Sequence, residues 1–328
     1  MSQTILVTGA TGAVGLRVVQ ALCLAGCRIR VFSTHAPKEG LFPQDVKTVL
    51  GDITDKIVVR SAMEGVDGVI HLAALLHIVS PSPDLEEQYE RINVGGTKNV
   101  VEAAVETGVE RVVLFSTIAV YGNSGGRILT EMSPTYPVTF YAKTKRTSEQ
   151  IVLKARNAAG KPLGTVLRFG AIYGSNMKGN YKRLTRALAS HLFIPVGSGL
   201  NRRTLIYEKD AGRAVAQAVF HPAAAGRLFN VTDGEFHTMK EIIEAICFGL
   251  GRKPNCLSLP IEPLRTLVRW TEKSMHAVGL KPPVTREMID KYTEDIAVDG
   301  SLFQREIGFS PQYDLKTGWE ETISEMYS

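Results

Sequence analysis

The sequence predicts an α/β protein, a doubly wound parallel sheet followed by a smaller C-terminal α/β lobe. Three observations carry this. A short apolar run ends in a glycine-rich loop that opens a helix near the N-terminus. Short apolar runs then alternate with helical patterns to about residue 170, the order of βαβ units with right-handed crossovers. Beyond that point glycine and proline break the alternation, in "IPVGSGLNRR" and "GLKPPVT".

In order, "TILVTG" (4–9) reads as a buried strand and Ala13 to about Leu24 as the first helix. "RIRVFS" (28–33), "VKTVL" (46–50), "GVIHLA" (68–73), "RVVLFS" (111–116) and "TVLRF" (165–169) read as further strands. Helical patterns fill 84–107 and 138–157. The chain has 328 residues, 44% of them hydrophobic, enough for a large core. Its net charge of +5 is scattered, with no basic block interleaved with aromatics, so a nucleic-acid partner is not expected. Cys23, Cys27, Cys247 and Cys256 form no CxxC pair and have no histidine cluster, which points to reduced thiols and no metal site. No leader precedes the first strand and no apolar run reaches the ~18 residues of a membrane span, so a cytoplasmic location is expected.

The loop "VTGATGAVG" (7–15) places Gly9, Gly12 and Gly15 between strand and helix, with Thr11, Ala13 and Val14 among them. Glycine is needed where a chain turns tightly, approaches a pyrophosphate, and packs helix on strand. The helix start adds free N–H groups and a partial positive charge. A dinucleotide site follows, in a domain spanning 1–170 to which part of 203–232 returns. Residues 171–328 then form mainly a substrate lobe.

Together with "GDITD" (51–55), "HLAA" (71–74), "INVGGT" (92–97), "FSTIAVYG" (115–122), "LRFGAIYG" (167–174), "NRRTLIYEKDAGRAV" (201–215) and "FNVTDGE" (229–235), this loop resembles the extended short-chain dehydrogenase/reductase family, which includes NAD-dependent epimerases and dehydratases. The resemblance covers essentially the whole chain. It implies a Rossmann-type fold in which Asp52 and Ile53 flank the adenine. Leu72, Ala73, Ala74, Ser116, Phe169 and Ile172 line the cofactor, and Asn93 supports it from the next helix. It also implies a homodimer.

"TFYAKTKRTSEQ" (139–150) puts Tyr141 one turn before Lys145, on one helix face. A phenol of ordinary pKa ~10 is a poor base at neutral pH, and an adjacent ammonium lowers that value. In the family the same lysine also holds the nicotinamide ribose. Thr117 stands where the family carries a catalytic Ser or Thr. The resemblance therefore implies a catalytic set of Thr117, Tyr141 and Lys145. Family dehydratases follow that threonine with Asp-Glu, whereas Ile118 and Ala119 stand here, which argues against dehydration.

The second strand ends in Ser33 and Thr34 where NAD sites usually carry an acid, with Arg30 and Lys38 nearby. NAD and NADP both remain open, with a lean to NADP. Arg203 matches the position of a diphosphate-binding arginine, with Arg202 as a competitor, and Asn180 matches a diphosphate-contacting asparagine. Leu76, Thr117, Ala119 and Tyr141 are further substrate-side positions. Ala171 departs from the asparagine of many UDP-sugar enzymes.

The expected function is NAD(P)-dependent epimerisation at a carbinol, C4, of a nucleotide-activated sugar. The alternatives are an NADPH-dependent ketoreductase of a 4-keto sugar or a steroid- or flavonoid-like ketone, an epimerase of a polyprenyl-linked sugar, and a non-catalytic dinucleotide sensor. In 262–280, Leu264, Leu267, Val268, Met275 and Val278 share one arc and Arg265, Arg269, Lys273 and His276 another. This reads as a core-facing helix with a basic solvated side, the alternative being a helix resting on anionic lipid. His71 reads as packing, His77 and His191 lack metal spacing, and Trp270 and Trp319 read as core or lobe packing.

Overall fold

The computed structural model describes residues 2–76, 83–255, 257–277, 280, 282 and 284–328. His77, Cys256 and Val278, and the side chains of Lys273 and His276, lie outside the described residues. Cys23, Cys27 and Cys247 are free thiols.

The strands are β1 (Thr4–Thr8), β2 (Arg28–Ser33), β3 (Lys47–Leu50), β4 (Gly68–His71), β5 (Arg111–Thr117), β6 (Ile128–Leu129), β7 (Gly164–Phe169), β8 (Ala171–Tyr173), β9 (Arg202–Arg203), β10 (Leu205–Tyr207), β11 (Leu228–Val231), β12 (His237–Thr238) and β13 (Ala297–Val298). The helices are α1 (Gly15–Leu24), α2 (Lys56–Ala62), α3 (Pro83–Tyr89), α4 (Gly96–Glu106), α5 (Phe140–Lys154), α6 (Asn180–Ala189), α7 (Glu208–Phe220), α8 (Met239–Gly249), α9 (Ile261–Ala277), α10 (Arg286–Thr293), α11 (Ser301–Ile307) and α12 (Leu315–Tyr327).

Seven strands form one parallel sheet in the order β11-β7-β5-β4-β1-β2-β3. Alternation along β1 explains the two layers. Ile5 and Val7 point into a core shared with Val18, Val19 and Leu22 of α1 and Ala211, Ala214 and Val215 of α7. Leu6 points the other way, among Val59 of α2, Val100 and Ala104 of α4, and Val152 of α5. Successive strand side chains face opposite ways, so a sheet covered on both faces is apolar at every position.

The order reverses at β1 and β4, and ligands of such sheets bind at the carboxyl ends beside that reversal. The structure adds a strand that the reading above lacked, since β11 joins the far edge and α7 packs on α1. The helical stretch 84–107 is interrupted by a π-helical turn, Glu90–Gly95, which carries the buried Asn93. Such turns accumulate at functional sites.

A third core lies in the C-terminal part, where Trp319 stacks on Tyr173 at 4.6 Å and packs with Ile242 and Ile246 of α8. There the structure corrects two expectations. Trp270 is 69% exposed and Leu267 61% exposed on the outer side of α9, whereas Trp319 is fully buried. The basic arc is split as well, because Arg265 turns inward to Asp290 at 2.7 Å. α9 packs on α10, and among the described residues of its apolar arc only Val268 is buried. No described helix is long and apolar enough to cross a membrane.

Candidate active site

The glycine loop closes under backbone constraint. Gly9 has φ +73°, and a Cβ there would sit 2.7 Å from the Ala73 nitrogen. A Cβ on Gly15 would sit 2.2 Å from the Ala10 carbonyl oxygen, and one on Gly12 3.1 Å from that of Gly9. Gly12 donates to Gly9 at 2.9 Å, which makes the turn, and Val14 caps α1 without a side-chain hydrogen bond. The Gly15 N–H donates to the Gly12 carbonyl at 3.2 Å, which leaves the next first-turn N–H groups of α1, those of Leu16 and Arg17, for a phosphate. Backbone thus passes where no side chain fits, between the partly covered Ala13 and Val14 and the exposed Thr11. These residues fit a dinucleotide pyrophosphate.

The loop after β4 is fastened on three sides. The Ala73 N–H donates to the Thr8 hydroxyl at 3.2 Å. Asn93 accepts from the Leu75 N–H at 2.7 Å, and its amide donates to the Leu75 carbonyl at 3.2 Å and to the Thr144 hydroxyl at 3.1 Å. The Tyr89 phenol donates to the Leu76 carbonyl at 2.7 Å. Asn93 therefore links this loop to α5. Leu72 and Ala74 are half-buried in it and Leu76 is exposed.

His71 is buried between the hydroxyls of Thr8 at 2.7 Å and Thr97 at 3.1 Å. Burial, assisted by the Lys145 charge, lowers its pKa to about 3, so the ring is a neutral packing element. Ile53 is buried against Gly96, while the Asp52 carboxylate accepts from the Thr54 N–H and hydroxyl at 2.9 Å each. Ser33 is buried at the end of β2 and Thr34 is exposed. Arg30 does not reach that end, because its guanidinium donates to the Ala62 and Glu64 carbonyls at 2.7 and 2.9 Å.

Thr117 ends β5, and its hydroxyl accepts from the Ala119 N–H at 3.2 Å, capping the 3-10 turn Ile118–Tyr121. Thr139 caps α5 in the same way, so α5 begins one residue before Tyr141. Ala142, Lys145, Ser148, Glu149 and Val152 form its buried face. The Lys145 ammonium donates to the Phe115 carbonyl at 2.7 Å, and the Phe115 ring stacks on Phe169 at 4.0 Å.

The expected acidification of Tyr141 is corrected here. Burial, with Tyr89 beside it, pushes the Tyr141 phenol well above its ordinary value, and burial lowers Lys145 to about 8. Desolvation outweighs the cation one turn away because that cation is turned toward β5. The Ser116 side chain is likewise committed, donating to Glu149 at 2.6 Å.

On the substrate side Ala171 and Ile172 are half-buried in β8, and Asn180 is exposed at the start of α6. Arg202 is held by Asp295 at 2.7 Å and by the Gly126 carbonyl at 2.8 Å. Arg203 donates to the Lys291 carbonyl and, at 3.1 Å, to that of Tyr292. Its Nε is buried without a partner, and among the described residues no carboxylate pairs with it. This separates the two arginines: Asp295 pairs directly with Arg202 and acts on Arg203, which lies near Tyr181, only at longer range.

A family model described as the NAD dependent epimerase/dehydratase family matches residues 5–232. The chain belongs to that family. It is an enzyme of the extended short-chain dehydrogenase/reductase type, with a nicotinamide dinucleotide as cofactor. This epimerase/dehydratase-type enzyme is similar to the UDP-glucose 4-epimerase of Vibrio cholerae, 27% identical over 98% of this chain and 95% of that protein. It is similar also to the N-acetyl-alpha-D-glucosaminyl-diphospho-ditrans,octacis-undecaprenol 4-epimerase of Escherichia coli O157:H7, 26% identical over 98% and 95%. The crystal structure of MoeE5 in complex with UDP-glucose and NAD shares its fold, with a TM-score of 0.76 at 23% identity over 98% of each chain.

The sequence reading did not assign Arg168 and Glu149. Arg168 donates to both Glu149 oxygens, at 2.8 and 2.6 Å, beneath the site. The signal was present, since Glu149 lies one turn beyond Lys145 on the same face.

Proposed function

We propose that the enzyme inverts a carbinol, C4, of a nucleotide-activated sugar, with Thr117, Tyr141 and Lys145 as its catalytic set. The observation that carries the reading is that Thr117 and the Tyr141–Lys145 face of α5 lie at the carboxyl edge of the sheet whose β1 end forms the glycine cradle. The bound dinucleotide supplies the hydride acceptor and donor. The Thr117 hydroxyl bonds the reacting oxygen. Tyr141 takes the alcohol proton and returns it after the sugar presents its other face. Burial keeps the phenol protonated at neutral pH, so Tyr141 must first release its own proton to solvent before it takes that of the alcohol, the Lys145 ammonium one turn away favouring the resulting phenolate. Arg203, with Asn180, holds the diphosphate: Nη2 is fixed by the Lys291 and Tyr292 carbonyls, which orients the guanidinium and leaves Nη1 for a phosphate oxygen.

Ile118 and Ala119 supply no carboxylate pair for water loss. With no acid at the end of β2, a 2′-phosphate is not repelled and NADP is accepted beside NAD. Residues 1–170, with part of 203–232, form the cofactor-binding half of a homodimer subunit, and the remainder binds substrate. A polyprenyl-diphosphate carrier is the second reading, favoured by the similarity to the Escherichia coli enzyme and by Leu267 and Trp270 facing outward from α9.

Mass spectrometry of the purified protein for retained dinucleotide, followed by proton NMR of UDP-glucose, UDP-galactose and their N-acetyl forms, tests this. Interconversion at C4 without net cofactor consumption is the expected result. Stoichiometric NADPH consumption by a 4-keto sugar would replace it with a ketoreductase, and turnover confined to a polyprenyl-linked sugar would select the second carrier.

A further inference from the structure

Glu149 has no exposed side-chain surface. A carboxylate so placed is tolerated only when its lone pairs are met. Four donors meet them: the Ser116 hydroxyl at 2.6 Å, Arg168 Nε at 2.8 Å and Nη2 at 2.6 Å, and Arg146 Nη1 at 3.3 Å. Ser116 and Phe115 are adjacent on β5, so successive turns of α5 grip successive strand residues. Lys145 donates to the Phe115 carbonyl and Glu149 accepts from Ser116. Ser116 is also in register with Arg168 on β7. The Arg168 guanidinium lies 4.7 Å over the Tyr121 ring, whose hydroxyl donates to Asn230 at 2.8 Å. One carboxylate thus joins α5, β5, β7 and the 3-10 turn that follows Thr117.

Buried ion pairs are roughly break-even for stability against apolar side chains of the same volume. Stability alone therefore does not account for this one. We propose that Glu149 is a positioning residue for the reaction: its clamped carboxylate keeps α5 in register on β5 and supplies the countercharge for the Lys145 ammonium. The inference rests on the reading of Tyr141 and Lys145 given above.

The groups around the ammonium are few. Glu149 and Tyr141 share its helix, His71 faces it from β4, and Tyr89 of α3 adjoins Tyr141. Arg168 of β7 and Arg146 of α5 surround Glu149 rather than Lys145. Of these, only Glu149 opposes the burial that lowers the Lys145 pKa.

The test is the titration of Lys145 in the full chain labelled with 13C at lysine Cε, its resonance identified with Lys145→Met. The expected midpoint is about 8 in the native protein. In Glu149→Gln it falls by roughly one unit or more, and in Glu149→Asp it stays within a few tenths. Should Glu149→Gln not fold, the double variant Glu149→Leu/Arg168→Met replaces the pair with apolar groups and carries the same expectation of a lowered midpoint. An unmoved midpoint in whichever of these variants folds overturns the proposal. In kcat/KM profiles the alkaline limb moves down with the midpoint, whereas a merely structural role lowers kcat/KM without moving the limb. The titration needs no substrate, so a chain that turns over no sugar refutes the proposed reaction while Glu149 is still decided.

Discussion

In the function proposed above, the glycine loop and the Arg202–Arg203 segment answer the same problem, holding phosphates, in opposite ways. Between Gly9 and Gly15 the work falls to backbone, and side chains are excluded by contacts as short as 2.2 Å. At β9 the proposal gives it to one side chain, Arg203, whose neighbour Arg202 is paired with Asp295, 93 residues on. The first device is local in sequence, and the second exists only after folding. On the proposed reading, recognition of the cofactor is built into the chain path, and recognition of the substrate into pairings that a few substitutions can rewire.

The largest effect that sharpens this comparison is on the far core. Trp319→Ala is expected to cost about 3–5 kcal/mol, because it empties a fully buried site stacked on Tyr173. Urea unfolding monitored by circular dichroism checks it, and the sheet half should retain dinucleotide binding if the two cores are energetically separable. Next, Arg203→Ala is expected to raise KM for the sugar diphosphate roughly 10–100-fold with the dinucleotide affinity unchanged, the scale of a lost charge-assisted contact. Arg202→Ala should raise it less than about threefold, since that charge is already paired. Equal effects of the two would erase the distinction drawn here.

His71 supplies a pH effect confined to the sheet half. Its folded pKa, about 3, lies below the unfolded value of about 6.5, so the unfolded chain binds the extra proton as pH falls. Stability is full above pH ~6.5 and declines between there and ~3, by about 2 kcal/mol from pH 7 to pH 5. Denaturant midpoints at the two pH values should differ in the native chain, and His71→Gln should remove most of that difference. The smallest effect belongs to Trp270, mostly exposed on α9. Trp270→Ala should alter stability by less than about 0.5 kcal/mol. A loss comparable to that of Trp319→Ala would mean that α9 is packed in solution.

The same contrast explains what the sequence disclosed. Six strands and the glycine loop were legible because alternation and turn chemistry act over a few residues. The seventh strand, Leu228–Val231, was not, since four residues after a long helix carry too little pattern to stand apart. Glu149 was visible four residues past Lys145, yet it reads as a solvated helix charge until Arg168, 19 residues downstream, is folded against it. Arg30 failed in the opposite sense: near Ser33 in sequence, it is drawn to the carbonyls at the end of α2. Tyr141 and Lys145 were singled out by spacing together with the family resemblance, and neither revealed that burial would govern both protons.

The direct test of the account is turnover by Tyr141→Phe, which removes one oxygen atom and leaves the helix face otherwise intact. With the native substrate and saturating dinucleotide, kcat should fall by about 10²–10⁴-fold while dinucleotide affinity holds, the range expected for a lost acid–base group. A variant that keeps more than about a tenth of native turnover would contradict the phenol's role and, with it, the mechanism proposed for this site.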